Sequence, residues 1–381
     1  ADPQSLIFSP PFLILALFNS SPSFQAADAA LFATLFCGGL GIMMFARERG
    51  WHAAGALVAG FAFSYGASNA WRIQHIGQVM SLCWFAVTLW LLARALQRRS
   101  MISGALAGFA AAMMLIGRDQ IALLCALILA AYVIAHWKSG EGRGRIAASV
   151  KPLLAAGLVG AAFVAIPVLM TAVFAAQSNR PEISYADAVI ASLHPAAFFT
   201  LVSANLFGTA GPMAQYWGPP TPEVWHDMLA LARNMADIYL GALPVIAVLA
   251  LGFAGGRMFE RGARFFTGLA VLSALYALGK STPFFALAYM LPGADLFRRP
   301  ADATFQFGAA FALLAGYLVH SALTDERRMT RAQVATGMAL AILALASCVW
   351  IAWSKARLDQ AIAPLAISAA TFAAAGAAFV A

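Results

Sequence analysis

QVMSLCWFAVTLWLLARALQRR, residues Gln78–Arg99, sets the fold class of this chain. It holds no charged residue before Arg94 and then turns basic at Arg94, Arg98 and Arg99. An apolar run of about 20 residues that ends on arginines reads as a helix crossing a bilayer and stopping at a positively charged surface. Comparable runs lie near 24–46, 52–69, 101–117, 120–136, 152–176, 237–255, 263–279, 303–323, 332–353 and 361–381. The spacing predicts about eleven transmembrane helices, several of them near the lower limit of ~17 residues for a span. Segments of about ten residues with alternating hydrophobicity, the mark of an outer-membrane barrel, do not occur. Each span is therefore expected to satisfy its own backbone as a helix.

Composition points the same way. Hydrophobic residues make up 62% of the 381 and charged residues 10%, where soluble domains carry about 25% charged residues. Mean hydropathy is +0.79. This is an all-α polytopic membrane protein by composition, and residues 1–381 read as a single transmembrane domain with one large external loop at 177–236. The net charge is +8, but the basic residues fall in short clusters between apolar runs. That pattern orients membrane helices and argues against a nucleic-acid partner. Cys37, Cys83, Cys125 and Cys348 stand singly in apolar segments without metal-ligand spacing, and read as buried apolar residues. The chain opens on ADPQSLIFSPPFLILALF, with no Met and no basic leader. It is expected to be a fragment that lacks a first helix and most of the first external loop.

The basic clusters set an orientation. Arg47/Arg49, Arg94/Arg98/Arg99, Lys138/Arg143/Arg145/Lys151, Arg257/Arg261/Arg264 and Arg327/Arg328/Arg331 occupy every second junction, which assigns those junctions to the cytoplasm. The junctions 1–23, 70–77, 117–120, 177–236, 280–302 and 354–360 then face outward. The loop 177–236 is too long for a simple connector. Its stretch QYWGPPTPEVWHDMLALARNM is expected to lie as an amphipathic helix at the interface, anchored by Tyr216, Trp217 and Trp225. SLIFSPPFLILALF is too short to span and fits a re-entrant or surface segment packed on protein.

In that orientation, polar side chains gather at outward helix ends. WRIQHIGQ supplies Arg72, His75 and Gln78, and GRDQ supplies Arg118, Asp119 and Gln120. His75 and Gln78 stand three apart and share a helix face. No second His or carboxylate lies at metal spacing, so His75 is not read as a zinc ligand. A substrate cavity of His75, Gln78, Asp119 and Gln120 is weighed against ordinary hydrogen-bonded packing. Arg118–Asp119 either caps a tight hairpin turn or carries function, the latter if it lies below the headgroups.

The stretch LPGADLFRRPADATF (Leu291–Phe305) is the sharper case. Arg298 and Arg299 flank a span on the outward side and precede Pro300, a favoured first residue of a helix. A helix N-terminus is the positive end of the dipole, so two cations there call for an anion. With Lys280 and Arg118 they are expected to cradle a phosphate or pyrophosphate. Snorkelling of the arginines to lipid headgroups is the alternative. Asp302 reads as a helix-start residue, and Asp295 has no assigned role. No P-loop, dinucleotide fingerprint, GxSxG or HExxH occurs, which leaves a membrane-bound or external substrate.

The run ALGKSTPFFALAYMLPGADLFRRPADATFQFGAAFALLAGY (Ala277–Tyr317) resembles the C-terminal signature of YfhO-type bacterial membrane proteins: a Gly, a TP, an LPG, then FR.P and an apolar helix. RIQHIGQVMSLCW, GRDQIALLCALILAA, YLGALPVIAVLALGF and ADPQSLIFSPPFLIL resemble further segments of that family in order. The resemblance covers nearly the whole chain. It implies a GT-C glycosyltransferase fold and transfer of a sugar from a polyprenyl-phosphate donor to an envelope glycan, lipid or protein acceptor. The site would face outward from the bacterial cytoplasmic membrane, with the donor phosphate at Arg298 and Arg299. The family's general base is an acidic residue early in the first external loop, expected upstream of Ala1. Within this chain Asp2, from the later part of that loop, is the candidate. The reaction needs a carboxylate base and cations for the departing phosphate, and admits a divalent metal without requiring one. A transporter or flippase of lipid-linked saccharides, with polar groups at mid-membrane and broken helices, is the alternative. A non-catalytic scaffold is the other.

Overall fold

A computed structural model describes residues 9–117, 120–139, 143–176, 183–208, 216–219, 221, 224–225, 235–291, 294, 297–325 and 329–380. Among the described residues every regular element is a helix. Seven are long and apolar enough to cross a membrane, so the chain is a helical membrane protein. The remaining apolar runs of the sequence carry shorter helices, Ala53–Tyr65, Met101–Ile116, Ala242–Ala254 and Arg264–Ala277. The run 52–69 is cut because the chain leaves helical geometry at Gly66 (φ −61°, ψ 149°) and restarts as Ala67–Trp71.

In chain order the first helices are α1 (Pro10–Phe18), α2 (Phe24–Glu48), α3 (Ala53–Tyr65), α4 (Ala67–Trp71), α5 (Ile76–Arg98), α6 (Met101–Ile116), α7 (Gln120–Lys138) and α8 (Arg143–Ala176). After α9 (Tyr185–Ala188) come α10 (Ala242–Ile246), which runs on as a π-helix to Ala254, and α11 (Arg264–Ala277). α12 (Phe284–Tyr289), α13 (Thr304–Thr324), α14 (Arg331–Ser354) and α15 (Leu358–Val380) complete the chain. Their ends follow local chemistry. The Ser23 hydroxyl accepts from Ala26 N at the start of α2. Thr330 and Gln333 close a reciprocal capping box on α14. Arg99, in left-handed geometry (φ 53°), ends α5.

The chain divides into two compact units. The first, Ala1–Trp51 with Ile73–Pro181, contains α1, α2 and α5–α8. Gly38 of α2 meets Cys83 of α5 and Gly41 meets Ala86, so these helices run parallel. Where they end, Glu48 accepts from Arg98 at 2.6 Å and Arg94 at 3.2 Å. α5 and α6 are antiparallel, with Ser81 Oγ donating to the Met114 carbonyl at 3.0 Å. α6 and α8 pack through small residues: a Cβ on Gly104 would overlap the Pro152 carbonyl, and one on Gly108 the Ala156 carbonyl. This close backbone approach is the membrane form of small-residue packing. The far face of α8 is apolar and exposed, as at Leu158 (72%) and Leu169 (66%).

The second unit, His52–Arg72 with Glu182–Ala381, is built around α13. Residues 304–316 of that helix are all buried, the signature of a helix enclosed by others. α3 runs antiparallel to it: His52 N donates to His320 Nδ1 at one end and Ser68 Oγ to the Thr304 carbonyl at the other. At the His320 end, Arg257 donates to Ser321 Oγ at 2.8 Å and Glu260 accepts from Tyr317 and Ser321. The opposite end carries the long loops.

There the expected interfacial anchors are corrected. Tyr216, Trp217 and Trp225 are buried (4%, 1% and 8% exposed) and sit in turns. Phe207 meets the rings of Trp217 and Trp225 edge-on at 4.8 and 6.0 Å. Trp225 Nε1 donates to the Trp217 carbonyl at 2.7 Å. Lys355 caps the group, its ammonium 4.3 Å from the Trp225 ring and donating to the Val224 carbonyl. The aromatic residues fold onto one another and pack with Cys348 and Ile351 of α14 and Leu365 of α15 in one buried core. Residues 226–234 of the expected helix lie outside the described set. α1, by contrast, is the short surface segment expected: it packs on α2 and leaves Leu17 and Phe18 exposed.

Candidate functional site: a basic edge over a buried ion pair

The site begins at the break after α3. Arg72, the residue that caps the end of the short α4, is fully buried in the second unit. Arg72 Nη1 donates to Asp302 Oδ1 at 2.7 Å, and its guanidinium lies 5.1 Å from the centre of the Phe305 ring. Asp302 does stand in the first turn before α13, as the sequence suggests. Its carboxylate is nevertheless the buried partner of Arg72 rather than a simple helix-start group. A charge at this depth is costly unless paired, and the pair answers that cost. Asn69 and Ser68 of α4 are buried beside it and donate to the carbonyls of Phe63 and Thr304.

One loop clamps two basic segments together. Arg299 N donates to the Ala188 carbonyl and Ala301 N to the Ala191 carbonyl, both at 3.3 Å. Ser192 Oγ accepts from Lys280 N at 3.0 Å, and Leu193 N donates to the Ala277 carbonyl at 2.7 Å. Gly279 makes this possible: its φ is +50°, and a Cβ there would overlap Ser192 Oγ and press on Pro300 at 3.0 Å. The backbones of Lys280 and Arg299–Pro300 are thus neighbours across the Ala188–Leu193 loop. Arg299 is held in left-handed geometry (φ 72°) and accepts from Asp302 N at 2.9 Å. Lys280, Arg298 and Arg299 are exposed at this edge. Asp187 on the same loop is engaged with Ser184. Such an edge can bind and neutralise an anion with several oxygens.

Of the other expected residues, His75, Gln78 and Gln120 belong to the first unit. His75 precedes α5 and makes no cap bond with its side chain. A Cβ on Gly117 would stand 3.0 Å from the Gly77 carbonyl, so the turn before Gln120 passes over the first turn of α5, where Gln78 sits. Gln120 is buried and Gln78 half-buried. Arg118, Asp119, Asp295 and Asp2 lie outside the described residues.

A further carboxylate, Asp237, escaped the sequence reading. It is 4% exposed and stands before α10. Its two oxygens accept from Asn205 N at 3.1 Å and Tyr239 N at 3.0 Å. Burial pushes its carboxyl up to about 6, against the opposing pull of those two backbone bonds. The Tyr239 carbonyl in turn accepts from Ala67 N at 2.8 Å, which ties the Asp237 turn to α4. Asp237 opens the apolar run 237–255, where nothing else in the sequence marks a buried carboxylate. Comparison with protein-family models, curated proteins and solved structures found no match for this chain.

Proposed function

We propose that the chain is a GT-C-type membrane glycosyltransferase. It moves a sugar from a polyprenyl-phosphate donor to an envelope glycan, lipid or protein acceptor on the outer face of the bacterial cytoplasmic membrane. The observation that carries this reading is the clamped basic edge, Lys280 with Arg298 and Arg299, at the start of a buried helix. It is supported by the likeness of Ala277–Tyr317 to the YfhO-type signature. In the reaction a carboxylate removes the acceptor hydroxyl proton as that oxygen attacks the anomeric carbon. The bond from that carbon to the lipid phosphate breaks, and Arg298, Arg299 and Lys280 stabilise the charge left on the phosphate. The base belongs to the first external loop, where Asp2 is this chain's candidate. A divalent metal is compatible with this chemistry.

One observation favours a second reading. The α3–α4 break, with a buried ion pair beside it, is the kind of discontinuous helix that transporters place at a binding site. A flippase for lipid-linked saccharides would use the same anion edge. The two readings separate in liposomes holding a polyprenyl-phosphate donor with radiolabelled sugar. Release of the labelled sugar to an acceptor supports the transferase. No turnover, with donor appearing in the opposite leaflet, supports the flippase.

A further inference from the structure

The first unit contains a cavity of about 530 Å³ between α1, α2 and α5, unconnected with the reading above. Pro11 and Leu15 of α1, Ala30 and Ala33 of α2, and Cys83 and Trp84 of α5 line it. Among the described residues, no charged side chain does. The Thr34 hydroxyl at its wall donates to the Ala30 carbonyl at 2.8 Å and offers a ligand little. Where Gly38 and Cys83 line it, α2 and α5 approach closely, since a Cβ on Gly38 would stand 3.1 Å from Cys83 Cα. The Ser9 hydroxyl, just before α1, donates to Met80 Sδ of α5 at 3.6 Å.

The surroundings identify the occupant. α2 and α5 are both long enough to span a membrane. Ile14 of its lining is 54% exposed, and Phe32 and Phe36 on α2 are 57% and 60% exposed, all of them apolar. The medium at the mouth is therefore bilayer hydrocarbon, not water. The α2 residues that line the cavity run from Ala26 to Gly38, which is about 18 Å of helix. One leaflet contributes about half of the ~30 Å hydrocarbon thickness. The cavity is as long as the hydrocarbon of one leaflet and shorter than a polyprenyl chain. We propose that it is a binding site for one acyl chain of a bilayer phospholipid.

The test uses the full chain in phosphatidylcholine nanodiscs with increasing fractions of chain-brominated phosphatidylcholine. The signals of Trp84 and Trp350 are isolated by difference against Trp84→Phe and Trp350→Phe variants. Trp350, 58% exposed on α14, serves as a lipid-facing reference. The proposal expects Trp84 quenching to saturate at a lower brominated fraction than Trp350 quenching. Ala33→Phe places a ring in the cavity. Displacing even two chain methylenes should weaken retention about tenfold, moving the Trp84 curve to that of the reference while Trp350 is unchanged. If Ala33→Phe does not fold, Ala33→Leu reads the same shift. Identical curves for the two tryptophans in the unaltered protein would overturn the site. So would insensitivity of Trp84 to both substitutions, or a crosslink from position 33 to a second copy of the chain.

Discussion

Arg72 and Asp302 are 230 residues apart, and their pairing is the feature of the site least accessible from sequence. The sequence places Arg72 among the polar groups at an outward helix end, and no local rule gives its burial or names its partner. Removing one member should cost more than removing both. Asp302→Ala leaves the guanidinium buried without its carboxylate, which costs about 3–5 kcal/mol. The double change Arg72→Met with Asp302→Leu is expected to be milder, and thermal unfolding of the three variants in detergent checks the order. Asp237 gives a pH prediction. Its carboxyl sits at about 6 in the folded chain, against about 3.9 unfolded. The folded state therefore binds more protons in that window. The contribution of Asp237 to stability should be full below about pH 4 and lost, by roughly 3 kcal/mol, as pH rises through about 6. Asp237→Asn should lower the unfolding temperature at acid pH, by losing one acceptor, yet flatten this slope. An unchanged slope would remove the role assigned to Asp237.

Helices were the legible elements because their signal is local and repeated: each apolar run of the sequence contains one. Their lengths were less legible. Gly66 ends α3 early, and nothing in 52–69 marks it beyond a glycine among several. The buried aromatic core of the long loop was hidden for a related reason. Tyr216, Trp217 and Trp225 have the composition of interfacial anchors, and only tertiary folding turns them onto Phe207. Helix packing makes a sharper prediction. Gly108 faces the Ala156 carbonyl at contact distance, whereas a Cβ on Gly157 meets nothing within 4 Å. Gly108→Val should destabilise by about 1–3 kcal/mol through overpacking. Gly157→Ala should be neutral or gain up to about 1 kcal/mol from helix propensity. Equal effects in a detergent-unfolding titration would contradict the parallel α6–α8 contact.

At the scale of the molecule, composition alone settles that the chain is a helical membrane protein. Its orientation rests on the alternation of basic clusters, and impermeant thiol labelling of intact cells tests that. A cysteine at Ser281, in a loop assigned outward, should label without permeabilisation. One at Ser139 should label only after it, and the reverse order would invert the topology. The basic edge was half legible. Arg298, Arg299 and Lys280 could be named from charge and position. The loop that clamps them, Ala188–Leu193, could not, because it acts through backbone bonds to distant segments. On the function proposed above, this edge holds a lipid phosphate. The direct measurement is the affinity of polyprenyl phosphate for the protein in neutral nanodiscs, with and without Arg298→Ala and Arg299→Ala. Loss of one charged hydrogen-bonding partner, worth about 1.5–3 kcal/mol, should weaken binding by about ten- to a hundredfold in either variant. Unchanged affinity in both, with the proteins folded, would contradict the claim.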